Sequence, residues 1–97
     1  MVLHTVSAVP GSAAFDNCLR IAGNDDRILL LAAGVYAGIA GGSAAEQLRE
    51  SAATVYALEQ DVAAAGLVSA LANGIEVVDF AGFVALTEAC EQQMNWS

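Results

Sequence analysis

Residues 27–40 decide the fold of this chain, and they read Arg-Ile-Leu-Leu-Leu-Ala-Ala-Gly-Val-Tyr-Ala-Gly-Ile-Ala. Four consecutive aliphatic residues, 28–31, follow a turn signal without polar alternation, which is typical of a strand buried on both faces. Gly34 ends this run, and apolar residues then recur at the spacing of a short helix. The pattern predicts the start of a βαβ unit, whose sheet usually places its chemistry at the carboxyl ends of the strands.

The same region contains an uncharged run, residues 28–45, whose length is close to the lower limit for a membrane-spanning helix. Only its first four residues are strongly apolar, and the rest are mostly glycine and alanine. No cluster of Lys or Arg flanks the run to set an orientation in a bilayer. A buried strand followed by a short helix is therefore favoured over a transmembrane helix.

Apolar runs and helical segments alternate along the whole chain. Strands are predicted at residues 2–6, 28–31, 54–58 and 75–78. Helices are predicted at residues 13–22, 35–39, 44–52, 59–65 and 81–91, with Ser12 and Asp79 as N-caps. Residues 67–74 fit either a helical turn or a loop. This alternation predicts one α/β domain over residues 1–97, a three-layer fold in which helices cover both faces of a mostly parallel sheet of four to five strands.

The composition predicts an oligomer. Apolar residues make up 57% of the 97-residue chain and charged residues only 14%, against about 25% charged residues in a typical protein domain. A domain of this size cannot bury so much apolar side chain, so part of it is expected on the surface as a patch. Because contiguous apolar surface usually marks a protein contact, we expect self-association of the isolated chain or assembly with partner chains.

The charges exclude several classes of partner. Three arginines, no lysine and eleven acidic residues give a formal charge of −8. This charge repels nucleic-acid phosphates and anionic membrane surfaces, so we expect neither direct nucleic-acid binding nor membrane association. The N-terminus has no basic region before an apolar segment, as a signal peptide would have, and a cytoplasmic location is therefore expected.

Most α/β chemistries lack their residues in this chain. A P-loop needs a lysine, and the glycines after the second predicted strand do not have the GxGxxG spacing of a dinucleotide site. One histidine and two cysteines make no catalytic triad, disulfide framework or zinc site of recognisable spacing. No metal and no cofactor are expected, and His4, within an apolar strand, is interpreted as a hydrogen-bonded structural residue.

The two thiols are the remaining nucleophiles. Cys90 is predicted near the end of the last helix, between Glu88 and Glu91, where the helix dipole and the two carboxylates oppose thiolate formation. Cys18 is predicted in the first helix, and no neighbour in the sequence clearly activates it. Judged from these residues alone, Cys18 fits a buried packing position.

The chain resembles the DsrH/TusB family of sulfur-relay subunits along nearly its whole length. The matching pieces are, in order, Leu3-His4-Thr5-Val6, Cys18-Leu19, Ile28-Leu29-Leu30-Leu31, Gly34-Val35-Tyr36-Ala37, Val55-Tyr56-Ala57-Leu58-Glu59, Asp61, Gly66-Leu67, Val78-Asp79-Phe80-Ala81-Gly82-Phe83-Val84, Leu86-Thr87 and the tail Gln93-Met94-Asn95-Trp96. No single piece is specific, but their order over the chain is. Ala33 departs from the acid that the family commonly has before Gly-Val-Tyr, which puts any role of that acid in doubt here.

The resemblance implies a small cytoplasmic subunit with a DsrE/DsrF/DsrH-like fold. Its partners would be homologous DsrE/TusD-like and DsrF/TusC-like chains, with two copies of each of the three in a heterohexamer. In the Tus branch such a complex passes persulfide sulfur towards 2-thiolation of the tRNA wobble uridine, and in the Dsr branch it serves dissimilatory sulfur oxidation. Sulfur donor and acceptor proteins would be reached through the complex.

The resemblance also suggests how the work is divided among the subunits. The main sulfur-carrying cysteine belongs to a sister chain, at the carboxyl end of its third strand, where this chain has Ala57-Leu58-Glu59. A non-catalytic or auxiliary role is therefore expected. Cys18 resembles the cysteine of the Dsr-type chain, which the tRNA-thiolation type often lacks, and it is the candidate catalytic thiol.

A rival interpretation is a stand-alone homodimeric α/β binding module without sulfur chemistry. Neighbouring genes for two homologous chains, one with a cysteine after its third strand, would favour the sulfur-relay interpretation. A gene without such neighbours would favour the binding module. Both sulfur pathways stay open at this point.

Overall fold

The apolar runs assemble into one parallel sheet in the computed structural model, which describes all 97 residues. The strands are β1 (Val2–Val6), β2 (Arg27–Leu30), β3 (Thr54–Leu58), β4 (Glu76–Val78) and β5 (Gln92–Trp96). Their order in the sheet is β4-β3-β2-β1-β5, and every neighbouring pair is parallel. The predicted α/β fold is confirmed, and the sheet has five strands.

Four α-helices and one 3₁₀ helix connect the strands. They are α1 (Ala13–Ile21), the 3₁₀ helix (Ala32–Gly38), α2 (Ser43–Glu50), α3 (Glu59–Ala64) and α4 (Phe80–Ala89). The first four strands follow one another across the sheet, and right-handed crossovers put the helices that connect them on one face. β5 returns to the far side of β1, so α4 covers the opposite face.

The sheet separates two apolar cores, as a strand buried on both faces requires. The larger core lies on the side of α1, α2 and α3, and it includes Ile28 and Leu30 of β2. The smaller core lies under α4, and Leu29 of β2 packs there. Because successive side chains of a strand point to opposite faces, the aliphatic run of β2 supplies both cores.

The uncharged run at residues 28–45 is divided among β2, the 3₁₀ helix and the beginning of α2. No helix in the structure combines the length and the apolar character needed to cross a membrane. The helix predicted at residues 35–39 instead spans Ala32–Gly38 and is of the 3₁₀ type. The other predicted elements agree with the structure to within two residues at each end, a usual margin for helix and strand ends.

The fifth strand was not predicted as a strand. β5 pairs with β1 from Val2 opposite Gln92 to Val6 opposite Trp96. Most of its side chains are exposed, so the tail has no apolar run of the kind that marked the inner strands. Residues 67–74, left open by the sequence, form turns with one antiparallel bridge between Ile39 and Leu71.

Candidate functional site at the carboxyl edge of the sheet

The carboxyl ends of β2 and β3 lie side by side, with Leu30 opposite Ala57. β3 ends at Leu58, and α3 begins immediately with Glu59, whose side chain is exposed. This is the edge at which parallel α/β sheets usually carry their chemistry. The position directly after β3 therefore presents a carboxylate and no thiol.

A hydrogen bond joins the ends of these two strands. The backbone N–H of Ala32, just after β2, donates to Asp61 Oδ2 of α3 over 2.7 Å. Ala32 has a φ of 49°, in the left-handed region that non-glycine residues seldom adopt. A bond to an ionised carboxylate is among the stronger hydrogen bonds, and it holds this turn in its strained conformation. Asp61 thus fixes the shape of the carboxyl edge.

A shallow recess of about 300 Å³ lies beside this turn. Its walls are Ala32, Ala33, Tyr36, Asp61, Ala64 and Ala65. Ala33 contributes a methyl group where the resemblance leads one to expect an acid. The Asp61 carboxylate already accepts the hydrogen bond from the Ala32 N–H, and the other walls of the recess are largely apolar. The recess therefore offers an apolar surface to a group bound beside it, but it contains no thiol that could act as a nucleophile.

Cys18 lies away from this edge. It packs in the larger core on α1, with 1% of its surface exposed. Burial, together with the Asp26 carboxylate at the amino end of β2, raises the pKa of the Cys18 thiol from 9.0 to about 11. At pH 7 the thiolate fraction is then roughly 10⁻⁴, whereas a reactive cysteine needs an accessible thiolate. The environment of Cys18 suits packing better than sulfur chemistry.

Cys90 is buried on the other side of the sheet. It is the C-cap residue of α4 and packs against Leu3 and Leu29 in the smaller core. The sheet therefore separates the two cysteines, and both are free thiols. Nowhere in the structure do three His, Cys, Asp or Glu side chains come together as a metal site would require.

His4 is fully buried, and both of its ring nitrogens have hydrogen-bond partners. Its Nε2 lies 3.0 Å from Asp26 Oδ2, and its Nδ1 accepts a hydrogen bond of 3.1 Å from Trp96 Nε1–H. Asp26 also accepts the backbone N–H groups of Val2 and Gly23, each at 3.0 Å. We call the three side chains His4, Asp26 and Trp96 the His4 triad, in which His4 is buried and the other two are half-buried.

The His4 triad could not be predicted from the sequence. The sequence predicts His4 in the first strand, but Asp26 only precedes the second predicted strand and Trp96 lies in a tail without predicted secondary structure. The missed signal is that Met94 and Trp96 alternate with polar residues after the last helix, as in an edge strand. Recognising that strand would have brought Trp96 to the side of β1.

The Asp26 carboxylate is expected to stabilise the fold in a pH-dependent way. Burial by itself would raise its pKa, but the bonds from Gly23, His4 and Val2 outweigh that effect and lower the pKa from 3.8 to about 2. A lowered carboxyl pKa contributes stability that is fully present above about pH 4 and is lost as the pH falls through about 2. The shift corresponds to about 1–2 kcal/mol after a discount for the side chain's partial exposure.

Urea unfolding at about pH 7 and about pH 2.5 measures this contribution, because stability depends on pH wherever the folded and unfolded states bind different numbers of protons. The Asp26→Asn variant is expected to lose that 1–2 kcal/mol at neutral pH and to show a smaller further loss in acid than the unchanged protein. The exposed neighbour Asp25 provides the matched control, Asp25→Asn. Equal losses in the two variants would contradict the assignment.

Known proteins resemble this chain in sequence. The family model described as "DsrH like protein" matches residues 10–93. A curated relative named "Protein TusB", from Sodalis glossinidius (strain morsitans), is 42% identical over 95 residues, which cover 98% of this chain and 100% of the relative. Relatives of the same name from Pectobacterium parmentieri and Escherichia coli are 37% and 39% identical over the same shares of each chain.

Solved structures share the fold. The crystal structure of the ychN protein from E. coli superposes with a TM-score of 0.83 at 19% identity and covers 98% of this chain and 97% of that one. The solution structure of protein Tm0979 from Thermotoga maritima gives a TM-score of 0.70 at 24% identity, covering 92% and 93% of the two chains. The family model spans most of the sequence, and the curated relatives align over nearly all of it. The chain therefore belongs to the DsrH/TusB family.

Proposed function

We propose that this chain is an auxiliary subunit of a cytoplasmic persulfide-relay complex, a sulfurtransferase whose main cysteine lies on a sister chain. Membership of the DsrH/TusB family supports the sulfur-relay assignment. The observation that carries the auxiliary role is at the carboxyl end of β3, where Glu59 directly follows Leu58. Of the two sulfur pathways, the relatives named TusB support 2-thiolation of the tRNA wobble uridine over sulfur oxidation.

The chemistry of a persulfide relay explains why Glu59, in place of a cysteine, supports an auxiliary role for this chain. In each transfer an accepting thiolate attacks the outer sulfur of a donor persulfide, the sulfur–sulfur bond breaks, and the donor cysteine leaves as a thiolate. No external oxidant or reductant is needed. A carboxylate cannot carry sulfur in this way, and Cys18 is buried with a pKa of about 11. Cys90 is buried as well, and we infer that the nucleophile of the relay comes from another chain.

The surface of α4 supports assembly with such a chain. Phe83 and Leu86 of this helix face the smaller core, while Phe80 and Val84, one turn apart, are exposed on its outer side. A helix that is apolar all round is normally buried on all sides. Phe80 and Val84 form what we call the α4 patch.

The α4 patch gives the auxiliary role its physical basis. Burying a phenylalanine side chain contributes about 1.5–3 kcal/mol, and burial of Val84 adds to this. We propose that homologous DsrE/TusD-like and DsrF/TusC-like chains cover the patch in a heterohexamer. In that assembly the recess beside Ala33 helps to shape the surroundings of the sister chain's cysteine. Sulfur donor and acceptor proteins then bind the complex.

Complementation tests the proposal. An Escherichia coli strain lacking its TusB protein is supplied with this chain, and 2-thiouridine in its tRNA is measured by mass spectrometry. We expect thiolation to return and the chain to co-purify with the host's two sister subunits. Co-purification without thiolation would favour the sulfur-oxidation branch. A homodimer that neither co-purifies nor restores thiolation would favour the stand-alone binding module.

The same strain tests Cys18 as the candidate thiol. The Cys18→Ala variant is expected to restore 2-thiouridine as well as the unchanged chain does, because a buried thiol with a raised pKa contributes packing only. The Cys90→Ala variant serves as the control for the loss of a buried sulfur atom. Loss of thiolation in the Cys18 variant alone, with both variants folded and assembled, would show that Cys18 carries sulfur.

A further inference from the structure

Few side chains attach β5 to the rest of the protein. Its first four residues are exposed, and Trp96 is the exception, packing against the larger core. Apart from backbone pairing with β1, its side-chain links are Thr5 to Asn95, Gln93 to the Thr87 carbonyl, and Trp96 to His4. The first two involve exposed side chains of β5. Apart from the backbone ladder, the bond between Trp96 and His4 is therefore the side-chain hydrogen bond that ties this edge strand to a fully buried residue.

This bond requires one protonation state of His4. An indole N–H can only donate, so His4 Nδ1 must carry a lone pair to accept it. The ring proton then sits on Nε2 and is donated to Asp26 Oδ2. This pattern of hydrogen bonds corresponds to one tautomer of the ring, and 0% of the His4 surface is exposed. Both ring nitrogens are occupied by protein groups.

A second proton on the ring would break this arrangement. It would go to Nδ1, where it would face the Trp96 N–H across the present 3.1 Å contact between the two nitrogens. Two donors cannot share a hydrogen bond, so one ring must move. The Asp26 carboxylate attracts the imidazolium and keeps it in place, and Trp96 is left as the group that moves.

The other titratable groups around the ring do not replace the lost bond. Cys18 of α1 lies close enough to Asp26 to be affected by its charge, but the thiol is a weak hydrogen-bonding group. The N-terminal ammonium, next to β1, pairs at 3.9 Å with Glu91, just before β5. This exposed pair lies at the other end of β5 from Trp96 and offers the indole no acceptor.

We propose that His4 and Trp96 form a proton-sensitive latch on the C-terminal strand. Neutral His4 holds the indole and docks β5 on β1. Protonated His4 expels the indole and loosens β5, which exposes the edge of β1. The sheet edge available to a partner then depends on the charge of one buried histidine.

The chain has one tryptophan and one histidine, so each reports on the latch alone. The full-length chain is titrated from about pH 8 to about pH 5, the range over which histidines change charge in proteins. Trp96 is followed by its emission maximum and by acrylamide quenching, His4 by ¹⁵N-detected NMR, and the fold by far-UV circular dichroism. We expect quenching to rise several-fold in step with His4 protonation while the helical signal stays constant.

Two variants keep the test decisive. His4→Gln retains an acceptor for the indole but cannot be protonated, and its Trp96 signals should not respond to pH. Trp96→Phe removes the opposing N–H, and by reciprocity of linkage its His4 should take up a proton at a higher pH. The latch is wrong if Trp96 stays buried while His4 titrates, if the response persists in His4→Gln, or if the helical signal is lost at the same pH.

Discussion

Replacing Phe80 by aspartate is expected to abolish assembly of the chain with its sister subunits while the isolated chain stays folded. Phe80 is 65% exposed and contributes little to the chain's own core. In an interface its loss would forfeit about 1.5–3 kcal/mol of burial, and the new carboxylate would be desolvated at a further cost. At least about 3 kcal/mol corresponds to a fall in affinity of roughly a hundredfold or more.

Val68→Asp is the matched control for this experiment. Val68 is 73% exposed, more than Phe80, and it follows Leu67 on the side of the sheet away from α4. Affinity is measured by titrating each purified variant into the sister subunits, and assembly is followed by size-exclusion chromatography. Full assembly of the Phe80→Asp variant, or an equal loss of affinity in the Val68→Asp variant, would show that the sister subunits do not bind the α4 patch.

Gly34→Ala is expected to destabilise the fold severely. A Cβ at this position would lie 2.0 Å from the backbone oxygen of Val6 and 2.9 Å from its carbonyl carbon. The obstacle is the backbone of β1, so no side chain can rotate to make room. Separating the 3₁₀ helix from β1 should cost about 3 kcal/mol or more, which would lower the Tm by more than about 10 °C in a domain of this size.

The Gly23→Ala variant tests whether the lack of room for a Cβ atom is what destabilises Gly34→Ala. A Cβ at Gly23 would meet only Asp26 Oδ2, at 3.9 Å, an ordinary contact distance. Thermal unfolding followed by circular dichroism should therefore show a small change for Gly23→Ala and a large one for Gly34→Ala. If the two variants unfold at similar temperatures, the close approach of the 3₁₀ helix to β1 does not explain why glycine is needed at position 34.

The inner part of the fold could be predicted from the sequence because its strands are runs of mostly apolar residues. β2 lies in the middle of the sheet, and both of its faces are buried, so its run of aliphatic residues has few alternatives. β5 lies at an edge and shows mostly polar side chains to solvent. Its strand conformation comes from pairing with β1, a long-range interaction that a local pattern does not record.

The functional residues likewise fall into those that could be predicted from adjacent residues and those that depend on long-range contacts. The absence of a thiol after β3 could be predicted because Glu59 follows the strand directly in the sequence. The His4 triad could not be predicted, since His4 is separated by 22 residues from Asp26 and by 92 from Trp96. The contact of Asp61 with Ala32 spans 29 residues and likewise depends on how the two strands pack. The burial of Cys18 followed from the packing of α1, which helical spacing alone left open.

Persulfide mapping on the assembled complex tests the central claim most directly. The complex of this chain with its sister subunits is loaded with a persulfide donor, and the modified cysteines are identified by mass spectrometry. A thiol must be an accessible thiolate to accept sulfur, and both thiols of this chain are buried. An auxiliary role of this chain predicts that the sister chain's cysteine carries most of the sulfur, Cys18 little and Cys90 none. Persulfide found chiefly on Cys18 or Cys90 would contradict it.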